Sequence, residues 1–227
     1  NHDGVLESGR LLLVDGGGES VEGYCSDHTR TYPVNGKFTD IQKDIYNIVL
    51  RAHSQVKDMI KPGTMYPEIH KAAYLSLAEG LKGVGLIKST PEEAVEAGAL
   101  YMFMPHGLGH GMGMDVHDLE NIGERSFDFS TVADRAAKSA TCIHRGSWRV
   151  EPGTVMSDEP GIYFIPALID KCRAEGKFTD IVNYDALDSF RNFGGIRIED
   201  DVLVTENGSR FIGDKLLPLT VEELEAV

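Results

Sequence analysis

Three histidines and four glycines crowd into the fifteen residues Met104-Pro105-His106-Gly107-Leu108-Gly109-His110-Gly111-Met112-Gly113-Met114-Asp115-Val116-His117-Asp118. Glycine costs backbone entropy and fills no core. Four of them in one run imply a tight path, or a close approach of the backbone to something bound. Histidine is the commonest nitrogen ligand of transition metals and the side chain that most readily moves protons near neutral pH. The run is a poor helix and a poor strand, and it reads as a site for metal and substrate if carboxylates elsewhere can share it.

Four carboxylates stand in strand-like or turn-forming surroundings. Asp15 closes the apolar run Leu11 to Val14, just before Gly16-Gly17-Gly18, and Asp27 follows twelve residues later in a second strand expected over Gly23 to Val34. A hairpin joining the two strands would set these acids side by side. Glu159 sits between strands expected over Gly153–Asp158 and Glu159–Phe164, and Glu199 lies among aliphatics in a strand expected over Gly194–Val204. An unpaired carboxylate in such a setting is destabilising, on the order of several kcal/mol, so each calls for a cation. Four acids and one histidine would hold two divalent ions, with at least one carboxylate bridging. Such a pair activates water and polarises a carbonyl.

The elements that must carry these residues are also legible. A capping box at Thr39-Asp40-Ile41-Gln42 opens a helix with Ile41, Ile45, Ile48, Val49, Ala52, Val56 and Met59 at three- and four-residue steps, and Lys61-Pro62-Gly63 stops it. A second helix starts near Pro67 and shows Ile69, Ala72, Ala73, Leu77 and Leu81 on one face. A third runs from about Pro91 to Ala99. All three read as cover for a sheet, without chemistry of their own. Residues 120–149 are rich in charge and small side chains and read as a functional loop or lid. A polar excursion from Pro166 to Asn192 contains a helix, and a second capping box at Thr220-Val221-Glu222-Glu223 opens a terminal one. No linker divides the chain, so residues 1–227 read as one domain.

Composition narrows the function classes. With 36 acidic against 22 basic residues the net charge is −14, and no cluster of Lys and Arg is present to meet a polyanion, which argues against nucleic acid. Bound cations would offset a share of that charge. No apolar run approaches the roughly 20 residues that cross a bilayer, and no secretory signal is visible. Cys25, Cys142 and Cys172 are an odd number without paired spacing, so a reducing, cytoplasmic setting is expected rather than a disulfide framework. The first residue is Asn1, and a strand follows almost at once, which suggests a chain that begins inside a larger polypeptide.

Asp15-Gly-Gly, Ser26-Asp27-His-Thr-Arg30, His106-Gly-Leu-Gly-His110, Val116-His117-Asp118, Glu159-Pro-Gly-Ile-Tyr163 and Gly195-Ile-Arg197-Ile-Glu199-Asp-Asp201 follow one another between Leu11 and about Gly213. Together they resemble the catalytic half of the proline-specific metallopeptidases, the prolidase and aminopeptidase P group. The resemblance implies the pita-bread fold: α+β, with a curved, mostly antiparallel sheet, helices outside and an approximate internal two-fold. The first half would supply Asp15 and Asp27, the second Glu159 and Glu199. It further implies that Asp15, Asp27, His110, Glu159 and Glu199 hold two divalent ions, Asp27 and Glu199 being the bridges. His106 and His117 would bind substrate and stabilise the tetrahedral intermediate, Glu159 would shuttle a proton, and Arg197 would orient Glu199 or its neighbours. An oxygen-rich set with one imidazole suits manganese, with cobalt, zinc or iron as alternatives.

The implied substrates are short proline-containing peptides, and the implied assembly is a homodimer. Arg145, fourteen residues before Glu159, resembles the arginine with which prolidases grip the free carboxylate of a dipeptide. It favours an Xaa-Pro dipeptidase over an Xaa-Pro aminopeptidase acting on longer peptides; its other reading is a solvent-facing loop cation. A non-catalytic binding module of the same fold is the reading from another class, and the survival of all five ligands weighs against it. His2, His28, His70 and His144 match no motif and read as surface or loop histidines. Asp118, Asp200 and Asp201 read as supporting residues. Three departures from the family pattern stand out. The loop between Asp15 and Asp27 is one residue longer, and Asp158 stands where the family often has an apolar residue. The family's N-terminal domain and an upstream histidine that contacts substrate are missing, so those parts are expected from a longer polypeptide or from a separate one.

Overall fold

A computed structural model describes residues 4–118 and 148–227. Its strands pair antiparallel throughout the described residues. β1 (Leu11–Gly16) lies against β2 (His28–Pro33) with Asp15 opposite Thr29, so Asp27, two residues on, is the diagonal neighbour of Asp15 on the same face. β3 (Val155–Asp158) pairs with β6 (Asp200–Thr205), β4 (Gly161–Phe164) with β5 (Gly194–Arg197), and β6 with β7 (Gly208–Phe211).

The strand expected over Gly194–Val204 is therefore two strands, and the break between them has a physical cause. Asp158 pairs with Asp200 and Gly161 with Arg197 in one continuous register, which puts Glu159 opposite Glu199 in the gap. Here the ribbon keeps a bond from the Ile198 amide to the Pro160 carbonyl at 3.3 Å, but the amides of the two facing glutamates turn to other segments. The Glu159 amide donates to the Leu108 carbonyl at 2.9 Å, and the Glu199 amide donates to the Thr29 carbonyl at 3.1 Å. The interruption is thus the place where two other segments, β2 and the His/Gly run, dock onto the ribbon.

Helices cover this sheet. α1 (Asp40–Met59) begins with the expected capping box, Thr39 Oγ1 accepting from the Gln42 amide and Gln42 Oε1 from the Thr39 amide, and it buries Ile45, Val49, Ala52 and Val56. Ile41, expected on the apolar face, is instead exposed in the first turn. α2 (Tyr66–Gly83) buries Ile69, Ala73, Leu77 and Leu81 and packs tightly on α1, for a Cβ at Gly80 would fall 2.4 Å from Ile48 Cγ2. α3 is shorter than expected, Pro91–Glu96, because Gly98 takes a left-handed φ of 75° and a 3-10 turn, Ala99–Met102, follows. Downstream come α4 (Pro166–Ala174), α5 (Tyr184–Leu187) and α6 (Val221–Leu224), the last opened by the Thr220–Glu223 capping box.

Two further expectations need correction. β2 starts at His28 rather than Gly23, because Gly23 turns the chain at φ 85° and the Cys25 amide bonds to the Gly113 carbonyl. β7 was not expected, although Asn207-Gly208 after β6 is a hairpin turn signal. Among the described residues no helix is long and apolar enough to cross a membrane. Of the cysteines, Cys25 and Cys172 are free thiols, and Cys142 lies outside the described residues.

Candidate metal centre

The His/Gly run is neither helix nor free loop. It lies antiparallel along β3, with Met112 N bonded to Val155 O, Ser157 N to His110 O and Glu159 N to Leu108 O. Gly109 is required for that approach: a Cβ there would sit 2.1 Å from the carbonyl oxygen of Ser157. At this position the glycine makes room for backbone rather than for a bound ligand. α2 fixes the same residue from the other side. The Tyr66 hydroxyl accepts from the Gly109 amide at 2.9 Å and donates to its carbonyl at 2.7 Å, while His70 Nδ1 accepts from the Leu108 amide at 3.3 Å. α2 is thus more than cover, and His70 is fully buried rather than a surface histidine. Gly109→Ala is expected to push the run off β3, costing about 1–3 kcal/mol of stability as other overpacked core sites do. Urea unfolding measures that loss, and an unchanged midpoint would show that the contact gives way freely.

The docking delivers His110 into the break in the ribbon. Its Nε2 lies 3.6 Å from Asp27 Oδ2 and 3.6 Å from Glu159 Oε1. Ligand atoms of Asp27, His110 and Glu199 all fall within 4.8 Å of one another. Asp15 joins through Asp27, with which it is in hydrogen-bonding contact, and its other partner is the Arg197 guanidinium. The four acids and one imidazole named from the sequence therefore converge, three of the five most tightly.

Arg197 links the group from behind. Besides Asp15 it reaches Glu199 Oε2, 3.8 Å from Nε, and donates from Nε to Thr29 Oγ1 at 3.1 Å and from Nη1 to the Tyr163 hydroxyl at 3.0 Å. Thr29 in turn donates to Glu199 Oε2 at 2.6 Å. Because Tyr163 accepts from Arg197, its proton goes to His106 Nε2 at 2.8 Å, which leaves the other ring proton on Nδ1, facing the Gly107 carbonyl at 2.7 Å. Burial and the neighbouring acids hold the Tyr163 hydroxyl protonated, up at about 12, despite the arginine beside it. The His117 ring packs on His110, centroids 4.2 Å apart. Arg145 and His144 lie outside the described residues, as does His2.

The electrostatics are those of a cluster of like charges. Burial first, and then the charge of Glu159, push the Glu199 carboxyl up to about 8. Burial and the facing Asp15 raise Asp27 as well.

Comparison with known proteins accounts for this arrangement. The profile of metallopeptidase family M24 matches residues 1–206. The chain belongs to that family. It is 40% identical to the Xaa-Pro dipeptidase of Rattus norvegicus over 227 residues, 99% of this chain and 44% of the rat protein. It is 38% identical to a probable Xaa-Pro aminopeptidase of Botryotinia fuckeliana, over 95% of this chain and 44% of that one. Among solved structures, the aminopeptidase PepP of Pseudomonas aeruginosa superposes with a TM-score of 0.75 at 34% identity, over 99% of this chain and 42% of its own. Aminopeptidase P of Escherichia coli with the inhibitor Pro-Leu gives 0.71 at 33%, over 96% and 41%. The fold is the pita-bread fold of these M24 relatives, and the chain spans less than half the length of each. These relatives carry peptidase names, which lends no support to the binding-module reading.

M24 membership implies divalent metal, and the residues fit it. Two carboxylates placed directly opposite one another at Glu159 and Glu199, with a third and fourth diagonal at Asp15 and Asp27, repel unless a cation lies between them. Oxygen donors with one imidazole are a hard set, suited to first-row divalent ions. Sequence reasoning missed the supports: Tyr66, His70, Thr29 and Ser157, whose hydroxyl accepts from the His110 amide at 3.0 Å. Only Tyr163 and Thr29 stood inside the quoted motifs, and nothing in spacing marks the others.

Proposed function

We propose that this M24 chain carries the catalytic centre of a peptidase that hydrolyses the bond before proline, with Xaa-Pro dipeptides as its substrates. Asp15, Asp27, His110, Glu159 and Glu199 would hold two divalent ions, manganese being the first candidate, with Asp27 and Glu199 shared between them. One observation carries the reading: the convergence of His110 on Asp27, Glu159 and Glu199 at the break in the ribbon. When bound, such ions supply Lewis acidity and an activated water.

The chain's own groups do the rest. Glu159 Oε2 faces His106 Nδ1 at 3.8 Å and Oε1 faces His110 Nε2, so this carboxylate stands between the donor set and the substrate side and can carry a proton from water to the leaving imino nitrogen. His106, fixed by Tyr163 at its Nε2 and by the Gly107 carbonyl at its Nδ1, lines the substrate side, and His117, packed on His110, presents an N–H group to the oxyanion that forms at the residue before proline. Arg197 pairs with both Asp15 and Glu199 and offsets their mutual repulsion.

Dipeptide preference is supported by the Xaa-Pro dipeptidase relatives, and the structural relatives named aminopeptidase P give the alternative of longer peptides. Rates on an Xaa-Pro dipeptide and on an Xaa-Pro-Yaa tripeptide separate the two. The dipeptide is expected to be turned over faster, and the reverse order would make the protein an aminopeptidase. The homodimer and cytoplasmic setting expected from the sequence belong to this same reading. Removing the metal should lower stability as well. Ions present at about 1,000 times their Kd stabilise by about 4 kcal/mol, so stripping them is expected to lower Tm by on the order of 10 °C. A scan with and without chelator checks this, and coincident transitions would argue that the cluster holds no ion.

A further inference from the structure

Behind the metal centre lies a buried polar cluster that this mechanism does not use. Asp158 and Asp200 face each other in register, and the alternation of strand side chains turns them away from Glu159 and Glu199. Both are buried, Asp158 completely. Like charges directly opposite in a buried pair are destabilising unless compensated. Asp200 is compensated by Arg30, whose Nη2 donates to both of its oxygens at 2.8 and 3.0 Å. Asp158 is not: among the described residues neither of its oxygens has a hydrogen-bond partner.

The basic group within reach is His53. It is fully buried on the apolar face of α1, between Val49, Ala52 and Val56, with its ring stacked on Phe211 at 5.2 Å. Its Nε2 lies 3.1 Å from Asp200 Oδ2 and 3.9 Å from Asp158 Oδ2. A histidine in an aliphatic stripe and an aspartate in a core strand are each costly alone, and here they meet.

We propose that His53 is a positioning residue of the metal centre, acting as a coupled pair with Asp158. It ties α1 to β3 and β6 at the two residues whose chain neighbours are Glu159 and Glu199. Resting on the ligand roles given above, this means that His53 sets the separation of those two carboxylates without touching metal or substrate. Without it, Asp158 is left buried opposite Asp200 with no polar group near its carboxyl, and the rung beside the donor set loosens.

Calorimetric titration of Mn²⁺ into the metal-stripped protein tests this, with melting curves alongside. His53→Leu is expected to weaken Mn²⁺ binding by roughly 10–100-fold, the range of residues that orient ligands. His53→Gln keeps a donor near the Nε2 position and should retain most of the affinity. The double variant His53→Leu/Asp158→Val removes both partners and should regain it. If His53→Leu does not fold, coupling predicts that the double variant does. Unchanged Mn²⁺ affinity in His53→Leu, even with a lowered Tm, would reduce His53 to a purely structural role and overturn the proposal. So would a double variant no better than the single one. Failure of the unmutated protein to bind Mn²⁺ is a different result, and it would count against the metal centre itself.

Discussion

Asp27→Ala and Glu199→Ala are each expected to leave the protein without a paired metal site and with no more turnover than the metal-stripped parent. Both side chains lie in the tight donor group with His110, and a bridging carboxylate serves two ions at once, so its loss removes a ligand from each. What remains is a set of donors too few to pay for dehydrating the second ion. The argument has a second arm in stability. Glu199 is almost wholly buried, faces Glu159, and has its carboxyl raised to about 8, so in the metal-free protein its charge is a burden rather than a support. Glu199→Gln keeps the shape and the Thr29 contact while removing that charge. Metal-free, it is expected to melt no lower than the metal-free parent, although it binds metal poorly. Elemental analysis and a melting curve check the two arms. Two ions per chain with unchanged activity in either alanine variant would refute the bridging assignment.

His117→Ala is expected to keep its metals and lose roughly 10²–10³-fold in turnover, the effect of deleting one donor to a developing oxyanion. Its ring packs against His110 yet lies outside the tight donor group of Asp27, His110 and Glu199. In the proposed reading it stands beside the ions rather than on them. Metal content measured with kcat decides the matter. A variant that loses an ion along with its activity would make His117 a ligand.

Much of this was legible in the sequence because it rests on short-range rules. The capping boxes at Thr39 and Thr220 and the apolar stripes of α1 and α2 are local, and they formed where expected. Motif order named the family, since several separate motifs in sequence are specific where one is not. What escaped depends on partners distant in the chain. Aliphatic content made Gly194–Val204 look like one strand, and only docking of β2 and the His/Gly run shows why it breaks at Glu199. Tyr66 precedes the expected start of a helix read as cover, His70 read as a surface histidine, and their grip on Leu108 and Gly109 spans about forty residues of chain. His53 passed unnoticed for the same reason. A histidine within an apolar stripe gains meaning only when Asp158 and Asp200 are folded against it.

The central claim is that Asp15, Asp27, His110, Glu159 and Glu199 enclose a pair of divalent ions. Crystals grown with Mn²⁺ and measured for anomalous scattering at the manganese edge test it most directly. Two anomalous peaks are expected in the break of the ribbon, both within bonding distance of Asp27 and Glu199. Peaks elsewhere on the chain, or none at that position in metal-saturated crystals, would contradict the account.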